Sequence, residues 1–282
     1  FIGTFHEPRH AEIAYLYGAK NIRVAHFSMS YSGSELTRAQ HAHISGTGIN
    51  LQTKIASEDY IRQLLSRKSS PLTRSTYISN KMTGFVYVSC LNFGDPVNYI
   101  YEMANQGILI TKSELGAYYT LSTFLSGGMM NYLYNVYSFL SDGTNSTPSL
   151  SMALGNGTLY WPEFSVYMNP NNVSLLTELV YLPKHTNSFG FMGGIESHIK
   201  GIPFPQEYEC GVIKSHPNYQ IMSSLTLNRT GNYFLESSLH YNVSKQWGLQ
   251  LSYRTGDRNT QKQQRDWPFS KEIVAIAATL SL

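Results

Sequence analysis

A period of two constrains this chain more than any other feature. In "NYFLESSLHYNVSKQWGLQLSYRTG", residues 232–256, Tyr233, Leu235, Leu239 and Tyr241 share one phase and Phe234, Glu236, Ser238 and His240 the other. After a polar turn, Trp247, Leu249, Leu251 and Tyr253 alternate with Gln246, Gly248, Gln250, Ser252 and Arg254. Successive side chains of a strand point to opposite faces, so each run carries one apolar and one more polar face. A hairpin on a soluble β-sandwich and two staves of a membrane barrel both satisfy that pattern.

Composition separates the two. Charged residues make up 14% of the chain, against about 25% in an ordinary soluble domain. Aromatics reach 13%, led by 21 tyrosines. No run of about 18 apolar residues occurs, so no segment is suited to cross a bilayer as a helix. A membrane reading therefore requires a closed barrel, which pairs every backbone group internally. No leader is visible at "FIGTFHEPRH". Cys90 and Cys210 fit neither a metal-ligand spacing nor a disulfide framework and read as small packing residues.

Along the chain, Pro8 and Gly18 bracket a short helix expected over about residues 8–17. "KNIRVAHFSMSYSG" then reads as a first strand and "QHAHISGTGINLQ" as a second. Residues 57–74 break the rhythm: Ser57 can cap a helix whose first turn holds Glu58 and Asp59, and Ile61, Leu64 and Leu65 form an apolar stripe. Alternating runs fill the rest, among them "TGFVYVSCLNF", "VNYIYEMA", "LGAYYTLSTFL", "MMNYLYNVYSFL" and "VSLLTELVYL". At roughly 12 residues per strand and turn this gives about 19 strands. The expected fold is all-β: a transmembrane β-barrel over residues 19–282, with residues 1–18 as an N-terminal segment whose helix sits in or near the lumen.

The acidic residues follow the polar phase. Glu114, Glu196, Glu207, Glu209 and Glu236 fall opposite the apolar phases of their runs, and Glu102, Glu163 and Glu178 on mixed faces. Residues 85–240 hold five bases against ten acids in a chain of net charge +3. Those eight glutamates are expected to line a channel and attract basic segments, because low-dielectric walls focus the field. Cross-strand pairing with Arg254 or Lys200 is the competing role for any one of them.

Catalytic signatures are sparse. There is no G-x-S-x-G, no glycine-rich phosphate loop and no Cys-x-x-Cys. "HEPRH" is read for its helix signals, and the expectation is that the chain carries no H-E-x-x-H zinc signature. Glu236, Ser238 and His240 share a strand face, but parallel side chains do not converge into a triad. The N-x-S/T matches at Asn145, Asn156, Asn172, Asn228 and Asn242 are near chance for this composition. The expectation is a protein that is not an enzyme and holds neither cofactor nor metal.

The opening "GTFHEPRHAEIAYLYGAKNIRVAHFSMSYS" resembles that of the channel-forming subunits of the mitochondrial outer-membrane protein translocase, a branch of the mitochondrial porin family. The matching motif is Gly3, Thr4 and Phe5, ahead of a short helix and a first strand near Lys20. "LGNGTLYWPEFSVYMNPNNVSLLTELVYLPK" is similar to a middle stretch of that family, and "KEIVAIAATLSL" resembles its C-terminal sorting signal. The signal departs from pattern in Ala275, Ala277 and Ala278, where glycine is common, and the chain closes on Leu282. The 57–74 excursion is not part of the resemblance.

The resemblance implies a pore in the mitochondrial outer membrane that conducts unfolded precursor proteins. Its partners would be basic presequences, small single-helix subunits and a receptor subunit, in a complex holding more than one copy. A metabolite porin of the voltage-dependent anion channel type, a bacterial outer-membrane channel and an outer-membrane lipid hydrolase are the alternatives.

Overall fold

Helices occupy the N-terminal part of the chain where a nearly unbroken series of strands is expected. The computed structural model describes residues 3–25, 28–66, 71–144, 147–184, 189–216, 218–243, 247–257, 260–266 and 272–280. Helix α1 (Gly3–Leu16) leads into a small antiparallel hairpin of β1 (Lys20–Ala25) and β2 (Ser28–Ser32), so the expected single first strand is two. Helices α2 (Arg38–Ser66) and α3 (Pro71–Phe85) follow, with a π-helical turn over Val86–Cys90, then α4 (Asp95–Asn105), α5 (Lys112–Leu125) and α6 (Gly127–Asp142).

The expected strand at residues 40–52 is the front half of α2, and the helix expected over 57–74 is split between α2 and α3. Ala42, Ile49, Ala56 and Tyr60 are buried and recur at helical spacing, a stripe interrupted in sequence by Gly46 and Gly48. The glycines are there for close approach. A Cβ on Gly46 would stand 2.7 Å from the Met168 carbonyl oxygen, and one on Gly48 would meet the α1 histidines.

The runs "LGAYYTLSTFL" and "MMNYLYNVYSFL" are α5 and α6, although their tyrosines suit a strand. Helical signals outweigh them. Thr111 and Glu114 form a reciprocal capping box at the start of α5, and Gly143, at φ 75°, ends α6 in the left-handed region. Inside the helices, Thr120 Oγ1 donates to the Gly116 carbonyl and Asn135 Nδ2 to the Asn131 carbonyl, each one turn back, so these polar side chains are satisfied within the helix.

The C-terminal half forms a ten-stranded antiparallel sheet. Its strands are β3 (Ser151–Leu154), β4 (Gly157–Tyr160), β5 (Glu163–Met168), β6 (Asn172–Pro183), β7 (Phe189–Gly201), β8 (Glu207–His216), β9 (Tyr219–Asn228), β10 (Tyr233–Asn242), β11 (Trp247–Gly256) and β12 (Glu272–Leu280), with a short α7 (Gln261–Asp266) between the last two. The path runs β12-β11-β10-β9-β8-β7-β6-β4-β3, with β5 on β6. The sheet is open. The expected all-β barrel of about 19 strands is therefore wrong: the chain is mixed, and helices fill the space a lumen would occupy. The expected sorting-signal stretch is β12, with Lys271 and Leu282 outside the described residues, as is Asn145 of the N-x-S/T matches.

Helices also seal one sheet edge. Phe164 N–H donates to Ser126 Oγ at 3.0 Å, and the Phe164 carbonyl accepts from Ser126 Oγ and from Lys81 Nζ. The Val166 carbonyl accepts from Tyr119 Oη at 3.1 Å, and both backbone groups of Met168 bond Asn50. The outward ladder groups of β5, which would otherwise invite another strand, are taken up by side chains of α2, α3, α5 and the α5–α6 junction. Behind that edge Tyr99, Met103, Leu115, Val166 and Val173 form one buried cluster; Tyr60, Leu64, Tyr77, Val180 and Ile213 form a second.

Candidate metal centre

Residues His6-Glu7-Pro8-Arg9-His10 spell H-E-x-x-H, the helical signature that places two histidines one turn apart on one face with a glutamate beside them. Sequence reading missed it by treating the stretch only as a helix start. Pro8 within α1 has no N–H to offer the Thr4 carbonyl, so the backbone alone holds this turn weakly. Tertiary contacts make up the difference.

His6 Nε2 lies 2.8 Å from Asp95 Oδ2, and His10 Nε2 lies 3.0 Å from the same oxygen. The ligand atoms of the three residues all lie within 4.8 Å of one another. The imidazoles meet edge to face at 4.7 Å, and Tyr87 stands edge-on to His6 at 5.8 Å. Asp95 opens α4, delivered by Gly94 at φ 84°, a conformation that favours glycine, and followed by Pro96 in the first turn. It lies 85 residues from His10, so no local spacing in the sequence announces it.

The surroundings fit a cation. His10 Nδ1 bonds the Ile44 carbonyl, which leaves Nε2 as the atom aimed at the cluster. His6 Nδ1 is buried with no hydrogen-bond partner. A Cβ on Gly48 would come within 2.4 Å of His10 Nε2 and 2.7 Å of His6 Nε2, so the missing side chain keeps the space beside both nitrogens clear. Two histidine nitrogens and one carboxylate oxygen are the donor set of a catalytic zinc site, a class that leaves its fourth position to water or substrate.

Electrostatics agree. Burial drives the His10 pKa down, but the hydrogen bond to Asp95 and the charges of Asp95 and Glu7 outweigh it, so the net shift is upward. Burial opposes ionisation of Asp95, yet its hydrogen bonds to His10 and His6 hold it well below the usual carboxylate range. Glu7 is buried, and desolvation raises its pKa against the attraction of His10 and His6. Both Nε2 atoms stand at hydrogen-bond distance from the one Asp95 oxygen.

The eight glutamates expected to line a channel are elsewhere and engaged. Glu102 belongs to α4 and pairs with Arg38 at 3.2 Å; Glu114 caps α5 and pairs with Lys200 at 2.9 Å. The other six lie on the inner face of the sheet, buried under helices. Glu163 pairs with Lys81 at 2.7 Å and accepts from Tyr77 Oη and Gly128 N–H. Glu178 accepts from Ser57 Oγ. Helix α7 serves three more: Arg265 reaches Glu196 at 2.7 Å, Gln261 and Lys262 donate backbone N–H groups to Glu207, and Lys262 Nζ lies 2.6 Å from Glu209. Glu236 takes Arg254 at 2.7 Å across the strand pair and Lys54 at 3.1 Å. The space left among them is a cavity of about 30 Å³, enough for a water or two. Gly3, Thr4 and Phe5 form the first turn of α1.

No known family model, curated protein or solved structure matches this chain.

Proposed function

We propose that this chain is a metal-dependent hydrolase whose centre is His6, His10 and Asp95, with Glu7 as the general base. The observation that carries this reading is the convergence of His6 Nε2, His10 Nε2 and Asp95 Oδ2 on one point from two separate helices, with the H-E-x-x-H glutamate buried beside it. Zinc bound there would supply Lewis acidity and a water acidified to near neutral pH. His10 is held in register by the Ile44 carbonyl, and Asp95 by the start of α4. Glu7, its pKa raised by burial, is suited to take a proton from the attacking water at its carboxylate and return it to the leaving group. The substrate class is a carbonyl compound, an amide or ester.

A conducting pore is not carried forward as a second reading. The inward carboxylates it depended on are engaged under the helices: Lys81, Arg265, Lys262, Arg254 and Lys54 pair with Glu163, Glu196, Glu209 and Glu236, and Glu178 and Glu207 accept hydrogen bonds from Ser57 and the α7 backbone.

Metal analysis of the purified protein, paired with hydrolysis of fluorescein-labelled casein and of 4-nitrophenyl esters, tests the proposal. One zinc per chain, lost in His10→Ala and Asp95→Ala, is expected. Glu7→Gln is expected to keep the zinc and lose the hydrolysis. Failure to bind zinc at micromolar concentration, or a fully active Glu7→Gln protein, would overturn it.

A further inference from the structure

The outer face of the large sheet differs from the surface of an ordinary soluble protein. Cross-strand registers place Tyr208, Leu227 and Tyr233 in one outward row, and Tyr219 and Tyr241 in another near the opposite strand ends. Between these margins lie rows containing Val212, Ile221, Leu239, Leu251 and Tyr253. Apart from Tyr219, which is half-buried, these side chains are about 36–46% exposed where the strands face away from the helices. Along the outward rows of β8–β11, the single formal charge among the described side chains is Lys214. Scattered exposed apolar residues are normal on a soluble protein, but a continuous field across neighbouring strands marks a contact surface.

We infer that this face seats in the acyl-chain region of a lipid bilayer. Three observations choose lipid over a protein partner. First, β8, β9, β10 and β11 are each 10 residues long, the length of a strand matched to a bilayer core, about 9–11 residues. Second, tyrosines mark both margins, and the rows between them are mainly apolar, with Ser223 and Ser237 bonded to each other beside Val212 and Tyr253, the arrangement that places amphipathic rings at the two interfaces. Third, each of these strands is paired on both sides, so no unsatisfied backbone edge is presented along that field. The inner face, with its buried carboxylates, stays under the helices. This seat is independent of the metal centre.

Cys210 offers a probe that leaves the face intact. It is free and exposed, and it lies in the outward row with Leu225 and Leu235. The full chain carrying Cys90→Ser is labelled at Cys210 with a nitroxide and mixed with phosphatidylcholine vesicles. Power-saturation measurements then compare its access to oxygen, which partitions into acyl chains, with access to a water-soluble nickel chelate. Co-flotation with the vesicles in high salt, and oxygen access several-fold greater than in vesicle-free buffer with the chelate excluded, is the expected result. Strong access to the chelate in the presence of vesicles would show the face in water and overturn the inference. Exclusion of both reagents would show it buried against protein, a second copy included, and would overturn it equally. Zinc binding enters neither readout, so this test and that of the hydrolase can fail separately.

Discussion

Asn50 on α2 bonds both backbone groups of Met168 on β5: Oδ1 accepts from the Met168 N–H at 2.9 Å, and Nδ2 donates to the Met168 carbonyl at 2.8 Å. One side chain thus does for the sheet edge what another strand would do. Asn50→Leu keeps the approximate volume and leaves two buried backbone groups unpaired, so a loss of about 2–4 kcal/mol is expected. Urea unfolding measures it. A change under half a kilocalorie would mean water replaces Asn50 at that edge.

Gly48 is predicted to tolerate no side chain. The added Cβ of Gly48→Ala would press on both Nε2 atoms, and overpacking of this kind costs about 1–3 kcal/mol. Zinc affinity is expected to fall at least about 100-fold, the larger end of the effect of disturbing a site's supporting shell. Calorimetric titration with zinc reads this out, and wild-type affinity in Gly48→Ala would move the cation away from the two histidines.

Lys81 and Glu163 are both buried and lie 2.7 Å apart. Removing the cation alone strands a buried carboxylate, so Lys81→Met is expected to cost about 3–5 kcal/mol. The double variant Lys81→Met/Glu163→Gln should recover most of that loss, because no buried charge remains. Equal instability of the two variants would show that Lys81 matters for its bonds to β5 instead of for Glu163.

The stability of the metal-free protein should fall as pH rises above about 6.5, the ordinary histidine value from which His10 is displaced upward. A raised folded-state pKa contributes stability that is complete below the unfolded value and disappears as pH climbs through the folded one. Asp95 is shifted the other way, so its contribution holds above 3.8 and is lost as pH falls through its depressed folded value. Zinc needs the neutral imidazole and reverses the upper trend. Melting curves from pH 5 to 9 with chelator, with zinc and for His10→Gln are the check; the same downward slope in His10→Gln would assign it to other groups.

Alternation along the chain sets the strand phases of the C-terminal half. In β10, Phe234 and Glu236 are buried while Tyr233 and Tyr241 face out, as alternation requires, because a strand has only two faces. The sequence also contained the two-histidine turn, since residues four apart on a helix must share a side. What it could not fix was which apolar runs become helices. Tyrosine-rich stretches such as residues 112–125 satisfy either period, and the capping box of Thr111 and Glu114 is the local signal that favours the helix. Asp95 joined His6 and His10, and Lys81 joined Glu163, only when α4 and α3 packed, because contacts across 80 and more residues depend on where whole elements dock. The inward Glu163, Glu196, Glu209 and Glu236 became buried ion pairs for the same reason, and Glu178 and Glu207 took hydrogen bonds from Ser57 and the α7 backbone: alternation turned them to one face, and tertiary structure put helices there in place of water.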